Sequence, residues 1–175
     1  MNIEASKFQI REAMPGDEVG IATIHVQSWQ TTYQGIVPQA YLDQLSVDHR
    51  IKLWRGLTHA SRSDGKTFTA LSQKDQIIGF ADVGRNRISD PSAGGELNAI
   101  YLLKEYQGFG LGKRLFDASR NWLKINDYQT MTLWVLAQNP ARDFYSHMGG
   151  NVISSKIIEL GGIPLEELAF TWNQI

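Results

Sequence analysis

Apolar and polar positions change period several times along the chain, and each change marks an element. "FQIREA" (8–13) reads as a short first strand. "PGDEVGIATIHVQSWQTTYQG" opens with Pro15, Asp17 and Glu18, residues suited to a helix start. It then places Ala22, Val26, Trp29, Tyr33 and Ile36 on one helical stripe. A second helical region covers 38–60 with a break near Ser46, and "SRSDGK" (61–66) has loop composition. From there the period shortens. Segments 67–73, 76–84 and 95–104 are rich in strand formers and bounded by turn residues, and Lys74-Asp75 joins the first two as a hairpin. A helix is expected from Gly108 to about Asn126, with Leu111, Leu115, Ala118 and Trp122 on one face. "TMTLWVLA" (130–137) is a strand and "NPARDFYSHMG" (139–149) a short helix. Two last strands, "NVISSKIIEL" and "IPLEELAFTW", flank Gly161-Gly162.

The order is strand, helices, three strands, helix, strand, helix, two strands. Runs of consecutive strands around a central strand–helix–strand unit predict a mixed α/β (α+β) sheet. The 175 residues suit a single domain, 1–175, with a real core. A net charge of −1 gives no global field for nucleic acid, and no basic stripe with interleaved aromatics appears. The absence of cysteine removes disulfides, thiolate nucleophiles and Cys-based metal sites. The four histidines, His25, His49, His59 and His147, form no pair at helical metal-site spacing, so no metal is expected. "MNIEASKFQI" lacks a signal-peptide pattern and no apolar run reaches spanning length. The expectation is a cytoplasmic protein without membrane or nucleic-acid partners.

The stretch "EYQGFGLGKRLF" (105–116) carries the candidate chemistry. It is not a dinucleotide fingerprint, because the third glycine comes one residue early. It is not a P-loop, because Gln107 and Arg114 occupy positions that need Gly and Ser or Thr. Its physics is nevertheless that of an anion site. A strand ends near Lys104 and a helix starts within the glycines, so free N–H groups and the helix dipole face outward. Gly108, Gly110 and Gly112 let an anion such as a pyrophosphate reach the main chain. The alternative is a turn that only packs helix against strand.

Gln107-Gly108-Phe109-Gly110-Leu111-Gly112 matches the acetyl-CoA signature Q/R-x-x-G-x-G/A of the GNAT superfamily of N-acetyltransferases, which the chain resembles. "LNAIYLLKEYQGFGLGKRLF" and "LWVLAQNPARDFYSHMG" resemble two successive family segments, and the element order agrees from Phe8 to Trp172. The resemblance implies a single domain with a mostly antiparallel seven-stranded sheet, flanked by helices, whose central parallel strands splay apart. The pantetheine arm of acetyl-CoA would lie in that splay. Main-chain groups of Ile100, Tyr101 and Leu102 would pair with it, amides from Gly108 to Lys113 would hold the pyrophosphate, and Asn139 would touch the cofactor. An oxyanion would meet a main-chain N–H near Leu102, where the fourth strand would bulge. Gly150 stands where an aromatic residue is common, which implies looser packing beside Tyr145.

Acetyl transfer from thioester to amine poses two proton problems, since the attacking amine is mostly protonated at neutral pH and the leaving thiolate benefits from a proton. The resemblance implies Tyr145 as general acid, its alternative being a tyrosine that only packs. It implies Glu96 as general base, direct or through water, its alternative being a solvated strand-end carboxylate. The segment "SWQTTYQGIVPQAYLD" (28–43) would shape the acceptor pocket. Trp29, Tyr33 and His25 are its candidates, and the pattern looks like a bacterial subgroup that includes polyamine acetyltransferases. Trp29 and His25 also read as packing residues. The expected partner is a small-molecule amine, with a homodimer left open. The rival functions are a non-catalytic acyl-CoA-binding module and a protein N-terminal or lysine acetyltransferase.

Overall fold

Seven strands form one sheet in the order β1-β2-β3-β4-β5-β7-β6. A computed structural model describes residues 7–59, 62–86 and 94–175. The N-terminal stretch, and Ala60 and Ser61 between the second helical region and its loop, lie outside the described residues. The strands are β1 (Gln9–Glu12), β2 (Gly65–Leu71), β3 (Ile77–Arg85), β4 (Gly95–Leu102), β5 (Thr130–Leu136), β6 (Asn151–Leu160) and β7 (Ile163–Asn173). The helices are α1 (Glu18–Thr32), α2 (Gln39–Asp43), α3 (Val47–His59), α4 (Leu111–Ile125) and α5 (Ala141–His147). Only β4 and β5 run parallel; every other neighbouring pair is antiparallel.

Turn chemistry sets the hairpins. Asp75 holds a positive φ of 56° between β2 and β3. Gly161 and Gly162 both hold positive φ (63° and 80°) between β6 and β7, which two glycines permit without strain. The helical region expected over 38–60 is two helices, separated at 44–46 as the Ser46 signal implied.

Two apolar layers cover the sheet. On one face α4 packs Leu111, Leu115, Phe116 and Leu123 against Ala81, Val83, Leu97 and Met131. The expected α4 stripe is thus displaced: Ala118 and Trp122 are only partly buried, and Phe116, Ser119 and Leu123 complete the inner face. On the other face Ile21, Ala22 and Ile24 of α1 meet Trp54 of α3 and Phe80 of β3. Helix α1 lies between the sheet and α3, so burial extends beyond the expected stripe to Ile21, Ile24, His25 and Ser28. Ile36 falls past the end of the helix.

Gly150 does not loosen the packing. A Cβ built there would stand 2.5 Å from the Trp172 ring. Trp172 of β7 fills the space, packs edge-on to Phe116 with ring centroids 5.1 Å apart, and donates its indole N–H to Met148 O (2.8 Å). The aromatic volume has moved from position 150 to a neighbouring strand.

Candidate active site

Strands β4 and β5 pair only at Gly95–Met131 and Glu96–Thr132. Beyond Glu96 they separate, and the edge of β4 facing β5 is open. Its other edge continues to bond β3 as far as Leu103, whose N–H donates to Ile78 O (3.0 Å). Hydrogen-bonding direction alternates along an antiparallel strand, so Ile100 and Leu102 turn their main-chain groups into the splay and Tyr101 turns its own toward β3. Of the three residues expected to pair there by main chain, Tyr101 instead turns its main-chain groups toward β3, and its phenol accepts a hydrogen bond from Trp29. Gln107 lies beside the opening and donates its side-chain N–H to Leu102 O (3.2 Å).

The glycine loop closes one end of the splay. After a 3₁₀ turn at Lys104–Tyr106, Gly108 and Gly110 take positive φ (83° and 79°), and a Cβ on either would meet nothing within 4 Å. Open space in front of two left-handed glycines is what main-chain access to an anion requires. Gly110 caps α4, whose first bond runs from the Arg114 N–H to Gly110 O (3.1 Å). The N–H groups of Leu111, Gly112 and Lys113 precede that bond and point out of the helix start. Phe109, 38% exposed, packs on Phe8. The charges beside the loop are engaged: Lys113 pairs with Asp117, and Arg114 donates to Phe8 O (3.0 Å).

Two phenols, Tyr33 and Tyr101, meet on one side of the sheet, and a third, Tyr145, lies on the other. Tyr145 of α5 belongs to the core on the α4 side, ringed by Phe144, Phe170 and Trp172. Tyr101 and Tyr33 belong to the opposite side. The Tyr145 hydroxyl nonetheless lies within electrostatic reach of both. Burial pushes the Tyr145 phenol well above its ordinary value, with the Tyr33 hydroxyl adding to the shift. It therefore stays protonated at physiological pH, as a proton donor must. Burial also raises the Tyr33 phenol, partly offset by the neighbouring Tyr101 and by Asn139, whose Nδ2 donates to Tyr33 Oη (3.3 Å). Trp29 Nε1 donates to Tyr101 Oη (2.9 Å).

A splayed parallel pair, a glycine loop at a helix start and a buried phenol between them agree with comparisons to known proteins. The family model for the acetyltransferase (GNAT) domain matches residues 30–167. The chain belongs to this family. It is 35% identical to an uncharacterized N-acetyltransferase, YuaI, of Bacillus subtilis over 95% of this chain and 93% of that protein. Its fold is similar to that of the PaiA N-acetyltransferase of Thermoplasma acidophilum in complex with coenzyme A (TM-score 0.70, 20% identity, 95% and 98% of the two chains). It is also similar to a ribosomal-protein alanine acetyltransferase of Vibrio fischeri (TM-score 0.71, 15% identity, 96% and 93%). As a family member it is an N-acetyltransferase that takes its acetyl group from acetyl-CoA. Among the described residues no group of side chains could hold a metal, and no helix is long and apolar enough to cross a membrane.

The residues of this GNAT acetyltransferase fit its co-substrate at both ends: a strand edge open to an amide-bearing arm except at Leu102 O, which Gln107 occupies, and N–H groups at the helix start for a pyrophosphate. Asn139 is buried and ties β5 to α5, its Oδ1 accepting the Ala141 N–H (2.9 Å). Its amide reaches Tyr33, so it stands at the phenol cluster. Glu96 is buried (3% exposed) at the closed end of the splay. It lies five residues before Tyr101, roughly 16 Å along the strand. The bulge expected near Leu102 lies at Asn98 instead, where β3 pairs Val83 with Leu97 but Asp82 with Ala99. Leu102 sits in regular ladder opposite Gly79.

The acceptor candidates divide. Tyr33 joins the phenol cluster. His25 is buried, accepts Trp54 Nε1 at Nδ1 (3.1 Å) and stacks on Tyr101 with centroids 5.2 Å apart. Burial, with Arg50 nearby, pushes its pKa down to about 3. It is a neutral packing residue beneath Tyr101. Trp29 is partly buried, edge-on to Tyr33, with the Arg50 guanidinium 5.9 Å from its ring centroid. Sequence reasoning passed over the Tyr101 phenol beside the opening. A period-2 strand pattern says which face a residue takes and nothing of what it meets there.

Proposed function

We propose that this acetyltransferase, acting as one domain in the cytoplasm, acetylates a primary amine of a small molecule by direct attack in a ternary complex. What supports the reading is the buried Tyr145 hydroxyl, which lies within electrostatic reach of Tyr33 and Tyr101 and makes no hydrogen bond to any described residue. In the reaction a C–N bond forms and the C–S bond breaks; the amine gives up a proton and the departing thiolate takes one. Tyr145 supplies the second proton. Glu96 receives the first through an intermediary, because its place on β4 is too far from the phenols for direct contact. A main-chain N–H facing the splay, at Leu102 or Ile100, polarises the thioester carbonyl.

A polyamine-like acceptor is favoured by the likeness of residues 28–43 to that subgroup. It would be recognised by carboxylates and amide oxygens, because Arg50 already covers the Trp29 ring. A thiol-release assay with acetyl-CoA against diamines, polyamines, amino acids and N-terminal peptides tests the reading. Free CoA with small amines supports it. Release with peptides alone makes the chain a protein acetyltransferase. Acetyl-CoA binding without release for any amine makes it a non-catalytic acyl-CoA module. Glu96→Gln is expected to slow turnover at neutral pH, with a deficit that shrinks at high pH, where the amine arrives deprotonated.

A further inference from the structure

On the α1–α3 face of the sheet, next to the closed end of the splay, four polar side chains form a buried group. Asp82 of β3 is 3% exposed. Its Oδ1 accepts Arg62 Nη1 (2.8 Å) and Thr67 Oγ1 (2.7 Å), and its Oδ2 accepts Asn98 Nδ2 (3.0 Å). The Arg62 guanidinium has room there because positions 65 and 84 lack side chains. A Cβ at Gly65 would overlap it, and one at Gly84 would stand 3.3 Å from it.

This group fixes which way the Asn98 amide points. A carboxylate ion-paired with arginine only accepts, so the NH₂ of Asn98 must face Asp82. The opposite rotamer would set two oxygens against each other. The carbonyl Oδ1 is therefore turned away from Asp82, and it is buried with no hydrogen-bond partner. A buried unpaired acceptor is costly, of order 1–3 kcal/mol, and so points to a donor that arrives with a ligand.

The position says which ligand. Asn98 is the extra residue of the β4 bulge, the second residue beyond the last β4–β5 pair. It shares a sheet face with Glu96 on one side and with Tyr101 on the other, because Leu97, Ile100 and Leu102 face the α4 core. It thus stands between the acidic residue that would accept a proton and the phenol cluster at the thioester end. Oδ1 only accepts, so its complement is a hydrogen-bond donor, and in an N-acetyltransferase the guest that brings one is the acceptor amine. We propose that Asn98 binds the acceptor amine, its Oδ1 taking one N–H and orienting the nitrogen lone pair toward the thioester. Asp82, with Arg62 and Thr67, is a positioning group that holds the amide in that rotamer. The inference rests on the amine-acetyltransferase reading above.

The test uses the full chain. Asn98→Ala and Asn98→Leu are expected to raise KM for the amine that drives CoA release most efficiently in the panel by about 10-fold or more, the order of one lost hydrogen bond to a charged or polar donor. The Kd of acetyl-CoA by calorimetry is expected to stay within about twofold, since of the two substrates the Asn98 side chain would touch the acceptor alone. Unchanged amine KM in a folded variant overturns the proposal. So does equal weakening of acetyl-CoA, which would make Asn98 a support of the strand. A second measurement needs neither turnover nor a variant. The side-chain NH₂ resonances of Asn98 in the wild-type protein with acetyl-CoA's non-reactive product CoA bound are followed while 1,4-diaminobutane is added. A saturable shift is expected, and none up to millimolar amine counts against the site. Failure of every amine in the panel, with that shift present, defeats the catalytic reading alone.

Discussion

Tyr145 is where chemistry and packing separate most cleanly. Its ring is held by Phe144, Phe170 and Trp172, and its hydroxyl bonds no described residue. Tyr145→Phe keeps the ring and leaves no orphaned partner. Turnover is expected to fall roughly 10²-fold, within the range for general-acid groups. Acetyl-CoA affinity and the melting temperature should hold. Measuring kcat under conditions where chemistry limits the rate, beside a melting curve, checks both; a wild-type kcat in a folded variant removes the general-acid role. The place of Tyr145 on a short helix after β5 was legible in the sequence. The Tyr101 phenol was not, because its hydroxyl reaches Trp29, 72 residues away in sequence, and no local pattern records such a partner.

At the scale of elements, the loop before α4 and the α5–β7 contact make opposite demands on glycine. Gly110 needs its backbone conformation: at φ 79° a β-branched residue is strained by roughly 1–3 kcal/mol, and its side chain would enter the open space before the helix start. Gly110→Val is expected to fold and to lose acetyl-CoA binding by calorimetry; unchanged affinity would sink the pyrophosphate assignment. Gly112 is different. It lies inside the first turn of α4, and its Cβ would meet only Phe144 at 3.8 Å, so Gly112→Ala should leave the melting temperature unchanged. Gly150 needs volume. Gly150→Ala should cost about 1–3 kcal/mol by overpacking Trp172. Combined with Trp172→Phe the cost should be less than additive, as chemical denaturation of both single variants and the double would show.

For the whole molecule, His25 sets an acid limit on stability. It titrates at about 3 in the fold against an ordinary 6.5. Below about pH 6.5 the unfolded chain takes a proton that the folded chain refuses, so stability falls as pH drops from 6.5 toward 3 and is unaffected by this group above that window. At pH 5 the loss is about 2 kcal/mol. Urea unfolding at pH 7 and pH 5 should show it. His25→Gln, which keeps an acceptor for Trp54, should remove that pH slope whatever its effect at pH 7. Asp17, held below its ordinary value by Arg11 and the Met14 N–H although burial opposes them, adds a separate loss in more acidic solution.

The amino-acid sequence by itself determined what neighbours along the chain can encode. Periods of 3.6 and 2 placed every strand and the longer helices within a few residues, and paired glycines set the β6–β7 turn. The loop at 107–112 announced a helix start open to an anion, because left-handed glycines and unbonded N–H groups are local properties. What the tertiary structure decided is whatever depends on residues distant in sequence. It put β7 between β5 and β6, so that Trp172 rather than residue 150 supplies the aromatic volume beside Tyr145. It covered Trp29 with Arg50 and buried His25 beneath Tyr101. It moved the β4 bulge from Leu102 to Asn98, because register follows from packing β3 against β4 and not from the alternation within either strand. It also brought Tyr33 to Asn139 across 106 residues, and a hydrophobic pattern specifies only that a face is buried, not which side chain it will meet.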